Sequence, residues 1–491
     1  MLCEIEITRK EAVAKLDQSK RSQLGQYFTP QRIADFMAGM FNAEFPSDIS
    51  ILDAGAAVGS LTASLLDRIA KVFHARSVEV TTYELDSMLN QYLEENLSKY
   101  RNLFVEKGIE FNINQVLGDF IVSAVPQFVF DKQPLYTHAI LNPPYKKINS
   151  GSNHRKILRL LEFETVNLYA AFVGVAINLL KKNGELVAII PRSFCNGNYY
   201  IGFRRLIIGQ CAIKRMHLFE SRTHAFKEDD VLQENIIIHL VKGQQQKEVI
   251  VSKSSNSLFE DVSDAVFTFD KIVRPDDPEI FIHLPDNHNL KLHQSKNINN
   301  SLKDIGISVS TGPVVDFRSR EDIVQEPKVG YVPLIYSVHF NGKEVEWPKE
   351  SKKPNAIHLN DVTRKMMYPN GFYVVVRRFS PKEEKQRIVA RVINPEKLNY
   401  DLIGIENHLN VFHEDKHGLT DMLAFGLAAY LNSSLIDNYF RTFNGHTQVN
   451  ATDLRQLPYP SREALLKLGK WAKKQSSFNR NDIDAQIETY L

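Results

Sequence analysis

Beyond residue 50 the apolar positions switch between two periods. Residues 49–54, 77–85, 111–119, 137–142 and 185–191 are short, apolar-rich runs of strand character. Residues 60–73 and 87–101 instead repeat their apolar positions every three to four residues, the period of a helix packed on one face. A helix over about 166–180, a turn at Asn183-Gly184, a helix around 199–209 and strands at 212–219 and 234–242 continue the rhythm. Strands alternating with helices predict a mostly parallel sheet covered on both faces. The last two strands predict an antiparallel edge to it. Upstream, residues 8–23 read as a helix, the string GQYFTP follows at 25–30, and 33–41 form an amphipathic helix. Thr29 suits the N-cap of that helix and Pro30 its first turn.

After about residue 245 the rhythm breaks. Polar, loop-like stretches and a proline- and aspartate-rich run at 273–289 precede a region of shorter, mixed elements. That region includes a strand at 371–379 and one long helix at 418–443. The pattern predicts three parts: an α/β domain over 1–245, a connector packed on it over 246–300, and a mixed α+β domain over 301–491.

Composition narrows the class without naming it. The chain has 491 residues, 43% apolar and 24% charged, as a soluble globular protein does. Its N-terminus carries charges throughout and has no apolar core of a signal peptide. The most apolar run, 168–180, is too short to span a bilayer. The three cysteines, Cys3, Cys195 and Cys211, form no C-x-x-C pair, so neither a disulfide framework nor a thiolate zinc site is expected, and a cytoplasmic setting fits. A net charge of +2 is too balanced to mark a nucleic-acid binder by itself. Its distribution says more. Five basic residues and no acid lie between Lys146 and Arg159, and eight basic residues with two acids between Arg364 and Arg391. Solvated faces would explain both runs equally well.

The chemistry-bearing residues stand at strand ends. Asp53-Ala54-Gly55-Ala56-Ala57-Val58-Gly59 is a small-residue turn between a strand and a helix, where a nucleotide-like ligand can approach the backbone. Glu84 ends the next strand and can accept from ribose hydroxyls. This pair fits a dinucleotide or S-adenosylmethionine alike. Gly118-Asp119-Phe120 ends the third strand and could bond and stack on an adenine, although an ordinary strand terminus explains the triplet in isolation.

The fourth strand ends in Asn142-Pro143-Pro144-Tyr145. A given four-residue string with two prolines arises by chance in roughly a few in a thousand chains of this length. Ligands in open α/β sheets bind at the carboxyl ends of strands, where this corner stands. The Asn142 side-chain oxygen is an acceptor, and the Pro143 carbonyl is a second, aimed by a fixed φ. Two acceptors on one amino group would hold both N–H bonds, localise the nitrogen lone pair and make it nucleophilic. Tyr145 would offer a face for a planar base. This is activation by orientation and electrostatics, with no base of raised pKa required.

Asp-x-Gly-x-x-x-Gly, Glu84, Gly-Asp-Phe and Asn-Pro-Pro-Tyr, in this order and preceded by GQYFTP, resemble the gamma class of amino-group DNA methyltransferases. These are the N6-adenine methyltransferases of type II restriction–modification systems. Residues 189–194 (IIPRSF), 225–240, 310–321 and 443–460 also resemble that class, most of all its PstI/BsuBI-type modification methylases, which act on CTGCAG. The resemblance implies a Rossmann-like S-adenosylmethionine-dependent catalytic domain followed by a target-recognition domain. It implies Tyr27, Thr29 and Pro30 near the methionine part of S-adenosylmethionine, and Asp53, Gly55 and Gly59 in the turn beside it. Glu84 would take the ribose, and Asp119 and Phe120 the adenine. Asn142, Pro143, Pro144 and Tyr145 would hold a flipped adenine, with Phe226 on its other face. Double-stranded DNA is the implied partner, and a cognate restriction endonuclease a genetic partner only. Two positions depart from the family: alanine stands at 54, often proline, and at 57, often glycine. Ala57 would be strained if its backbone needs a positive φ.

The basic runs gain meaning beside such a site. Lys146, Lys147, Arg155 and Lys156 could clamp phosphates, Arg377 or Arg378 could meet phosphate or guanine, and His446, Gln448 and Asn450 could reach base edges. Residues 413–417 formally match the H-E-x-x-H zinc signature, but they read as a polar, solvated loop, and no metal is expected. Two other readings compete. Methylation of a protein glutamine or an RNA guanine can share Asn-Pro-Pro-Tyr, but it does not explain GQYFTP and the long C-terminal part. A non-catalytic DNA-binding subunit does not explain an intact Asn142 and Tyr145.

Overall fold

The computed structural model describes residues 1–16, 27–42, 44, 46–72, 75–219, 234–285, 297–381 and 383–490. The chain divides into two compact units, Met1–Leu284 and Pro285–Leu491.

In the first unit, α1 (Leu2–Lys15) and α2 (Gln31–Gly39) precede five strand-then-helix steps. These are β1 (Asp48–Ala54) and α3 (Ser60–Val72), β2 (Ser77–Glu84) and α4 (Ser87–Glu106), β3 (Glu110–Leu117) and α5 (Phe120–Asp131), then β4 (Tyr136–Leu141) with α6 (Asn153–Leu158) and α7 (Leu168–Leu179), and β5 (Leu180–Pro191) with α8 (Ile201–Gln210). The strands β6 (Cys211–Phe219), β7 (Asn235–Lys242), β8 (Val249–Ser254) and β9 (Ser263–Phe267) complete one nine-stranded sheet in the order β3-β2-β1-β4-β5-β7-β6-β8-β9. From β3 to β5 every pairing is parallel. Runs such as Ala139-Ile140-Leu141 and Leu186–Ile190 are fully buried, as strands covered on both faces must be. The order reverses beside β1, so β1 and β4 diverge at the point where such sheets bind ligands.

The sequence reading holds for the parallel half and needs correction beyond it. The antiparallel pair is not an edge: β7 inserts between β5 and β6, antiparallel to both, and β8 and β9 continue the sheet. The segment 246–300 is therefore divided, since its first part supplies two strands to the first unit and the unit boundary falls at 284/285. Pro30, not Thr29, is the N-cap of α2. The helix expected over 8–23 runs over Leu2–Lys15, and 17–26 lie outside the described residues.

The second unit is mixed α+β. A six-stranded sheet runs in the order 308–311, 409–413, 373–377, 390–393, 344–345, 340–341, and a five-stranded sheet in the order 323–324, 356–358, 331–335, 402–405, 368–369. The expected long helix is two, Asp421–Leu431 and Ser434–Phe443, because the Ser433 side chain accepts from Ile436 N and starts a new helix. His413 is no solvated loop residue: it ends the buried strand 409–413, its Nε2 meets Ser310, and Glu414 to His417 form a tight turn rather than a helix. Among the described residues no helix is long and apolar enough to cross a membrane.

Candidate functional site

The carboxyl ends of β1, β2 and β4, with the start of α5, surround a cavity of about 1060 Å³ including its open mouth. Gly55 and Gly59 take φ of +79° and +85°, which lets the chain leave β1 and enter α3 within a few residues. A Cβ at Gly59 would stand 2.8 Å from Leu93 Cδ1, so the glycine also permits α3 and α4 to approach. Ala57 has φ +50°, so the strain anticipated from the sequence is present. Its N–H donates to Glu84 Oε2 at 2.8 Å, which ties the turn to the end of β2.

Each carboxylate has its own setting. Glu84 Oε1 accepts from Leu85 N and Asp86 N at 2.9 and 2.8 Å. Burial nevertheless raises its pKa, against three backbone donors that favour the charged form. Asp53 is fully buried beneath the turn and does not line the cavity. Thr62 donates to its Oδ2 at 2.6 Å, Oδ1 has no hydrogen-bond partner among the described residues, and burial, with Glu84 nearby, pushes the pKa up to about 7. Asp119 caps α5 by accepting from Val122 N and meets His154 Nε2 at 2.8 Å.

The walls are aromatic. Phe120 lies edge-on to Tyr83 and against Phe172, with ring centroids 5.0 and 5.1 Å apart. Tyr27, Asn142, Pro144, Lys146 and His154 also line the cavity. Sequence reading missed Phe172, whose apolar helix hides it, and His154, whose partner is 35 positions away in sequence. Tyr83, next to Glu84 at a strand end, was the legible omission.

The Asn-Pro-Pro-Tyr corner is ordered by its neighbours. Asn142 Nδ2 lies 2.9 Å from both Tyr27 O and Thr29 Oγ1. Tyr145 OH lies 3.2 Å from Asn142 Oδ1 and 3.2 Å from Ile189 O. The Tyr145 ring is 9% exposed, packed between Tyr27 and Tyr169 with centroids 5.2 and 6.2 Å away. It does not present an open stacking face, as the sequence suggested; its hydroxyl braces Asn142 instead. Burial raises the Tyr145 pKa well above its ordinary value, so the phenol keeps its proton. Pro143 is buried. Arg192 and Glu234, a buried ion pair at 2.7 Å, join the end of β5 to the start of β7. Phe226 lies outside the described residues.

The basic residues after the corner separate. Lys146 faces the cavity, and Lys147 and Lys156 are exposed. Arg155 is held by Thr165 O and Glu164 at 2.6 and 2.7 Å, which makes it part of the loop's own scaffold.

In the second unit, four chain segments converge at one end of the six-stranded sheet. Arg378 N donates to His408 O, Val449 N to Arg378 O, and Asn407 N to Val314 O. Arg378 Nη1 donates to Asn407 O at 2.6 Å, while Nη2 lies 3.5 Å from Gln448 Oε1 and 3.4 Å from Asn450 Oδ1. Arg377 turns elsewhere, to Glu384 at 2.9 Å. Asn450 also forms a capping box with Asp453 for helix Ala451–Arg455. The His446 carbonyl accepts from Arg387 Nη2 at 2.7 Å. Phe379 beside them is 56% exposed.

The chain matches the family model described as Eco57I restriction-modification methylase over residues 5–226. It is 47% identical to the type II methyltransferase M.BsuBI of Bacillus subtilis, over 96% of this chain and 94% of that protein. It is 43% identical to the type II methyltransferase M.PstI of Providencia stuartii, over 94% of this chain and 92% of that protein. Among solved structures, the type IIL restriction-modification enzyme MmeI in complex with DNA aligns with a TM-score of 0.52 at 10% identity, over 100% of this chain and 72% of that one.

Proposed function

The chain belongs to the type II restriction–modification methyltransferases, and from that premise we propose that it methylates N6 of an adenine extruded from double-stranded DNA, with S-adenosylmethionine as methyl donor and CTGCAG as its site. The observation that carries this reading is the corner Asn142–Tyr145, an amide fixed by both of its N–H groups at the wall of a cavity with nucleoside character.

The cavity fits the donor. Its carboxylates, Glu84 and Asp119, suit a ribose and an exocyclic amine, and Tyr83, Phe120 and Phe172 suit a purine. When bound, S-adenosylmethionine supplies an electrophilic methyl group. The chain's own residues do the rest. The Asn142 oxygen and the Pro143 carbonyl accept the two hydrogens of the target amino group. Its lone pair is thereby withdrawn from the purine π system and becomes nucleophilic, and the amine's proton departs after transfer. Lys147 and Lys156 contact phosphates. The C-terminal unit reads the sequence through Arg378, Gln448 and their neighbours. The high identity to M.PstI and M.BsuBI along nearly the whole chain, reading unit included, supports a shared site. A cognate endonuclease attacking that site is the genetic partner.

Nucleosides from duplex DNA incubated with the protein and S-adenosylmethionine, separated by mass spectrometry, are expected to contain N6-methyladenine. DNA left unmodified while the cofactor binds would defeat the proposal.

A further inference from the structure

GQYFTP stands in this family's pattern beside the cofactor, yet the structure gives its Thr29 a second partner. A backbone carbonyl only accepts, so the Asn142 side-chain atom 2.9 Å from Tyr27 O must be the NH2 group. The opposite orientation would set two acceptors against each other. The second hydrogen of that NH2 meets Thr29 Oγ1 at 2.9 Å. Thr29 is buried, and among the described residues its hydroxyl does not cap α2: Pro30 holds the N-cap position and no side chain caps that helix. On the other side of the amide, Tyr145 has one hydrogen shared between Asn142 Oδ1 and Ile189 O, both at 3.2 Å. Both donors of the amide are thus spent, and its oxygen keeps a lone pair for an incoming donor.

We infer that Thr29 is a positioning residue: with the Tyr27 carbonyl it clamps the Asn142 amide so that the oxygen is the group offered to the substrate's amino nitrogen. The inference rests on the reading of Asn142 proposed above. It also links two events. Tyr27 and Phe28 line the cavity, and Tyr27 and Thr29 hold the amide, so the same segment shapes the donor's wall and orients the acceptor. Thr29→Val keeps the shape of the side chain and removes only its oxygen, leaving one buried N–H without a partner and the amide free to turn.

The test compares full-length Thr29→Val, Thr29→Ser and wild type. Single-turnover methyl transfer to duplex DNA is followed at saturating S-adenosylmethionine, and cofactor Kd is measured by equilibrium dialysis. Thr29→Val is expected to slow the transfer step by about 100-fold, the scale of a misplaced reacting group. Its cofactor Kd should move by no more than about three-fold, and Thr29→Ser should restore the rate to within about three-fold of wild type, because both effects scale with one hydroxyl. A Thr29→Val rate equal to wild type overturns the inference. So does a defect confined to cofactor Kd, which would make Thr29 a cofactor contact only, or a serine variant as slow as the valine. Wild type that makes no N6-methyladenine would instead discard the proposed function. In that case a crystal structure of wild type judges the clamp alone: an amide turned away from Thr29 overturns it, and one bonded to Thr29 upholds it.

Discussion

The corner after β4 and the edge formed by residues 378–380, 406–408 and 446–450 hold similar polar groups in opposite ways. At the corner, Asn142 meets two fixed acceptors at 2.9 Å each and is braced by a buried phenol. At the edge, Arg378 has one short bond to a backbone carbonyl and two long contacts, 3.5 and 3.4 Å, to Gln448 and Asn450. The corner is preset, so no reorganisation remains for the moment of reaction. The edge has side chains whose weak mutual contacts can be exchanged for base edges at little cost. Under the proposed function, chemistry needs the first arrangement and recognition tolerates the second.

The comparison can be broken in four places, taken in falling order of effect. Asn142→Ala removes the preset acceptor. Turnover should fall by at least about 1000-fold, the scale of a lost oriented polar group in a transition state, while cofactor binding measured by calorimetry survives. Equal loss of both would make Asn142 structural and erase the contrast.

Asp53 probes how strongly the base of the turn after β1, beside that corner's cavity, is buried. Its folded pKa of about 7 lies above the ordinary carboxylate value. The native state therefore keeps this proton in a window where the unfolded chain has lost it. The stability Asp53 contributes is full below about pH 4 and is lost as pH rises through about 7. Asp53→Asn should match the parent in urea unfolding near pH 4 and exceed it at pH 8, by on the order of a few kcal/mol. A constant difference at both pH values would contradict the assigned pKa.

At the edge, Arg378→Ala should weaken binding to the target duplex by about 1–3 kcal/mol and leave cofactor affinity alone. Arg377→Ala, whose guanidinium is occupied by Glu384, should cost less than about 1 kcal/mol. Fluorescence anisotropy separates them, and equal losses would show that the edge is not organised around Arg378. The smallest effect is expected at Ala57: with φ +50°, Ala57→Gly should raise stability by up to about 1 kcal/mol. A decrease in the unfolding midpoint would mean that the alanine methyl group packs more than its backbone strains.

What was legible in the sequence follows the same contrast. Asp53, Glu84, Asp119 and Asn142 could be placed because strand ends are set by local apolar pattern, and each acid or amide closes one. The parallel half of the sheet was legible for that reason too. The insertion of β7 between β5 and β6 was not, because pairing order depends on long-range contacts that a local pattern does not encode. Nor could the pattern say that Thr29 serves Asn142 rather than its own helix, that His154 meets Asp119, or that Tyr145 braces an amide instead of facing outward. The first two depend on partners 113 and 35 positions away in sequence, and the third on the packing of Tyr27 and Tyr169 around the ring. Adjacent arginines posed the hardest case: Arg377 and Arg378 are equivalent in a charge count, and alternation along the strand sends one to Glu384 and the other to the converging loops.

We propose that Asn142 activates an adenine amine at a site read by the C-terminal unit. Single-molecule sequencing of unmethylated DNA treated in vitro with wild type and with Asn142→Ala tests it most directly, since it reports modified base and context together. N6-methyladenine is expected in a single palindromic context with wild type and none with Asn142→Ala. A modified base other than adenine, or modification that persists in Asn142→Ala, would contradict it.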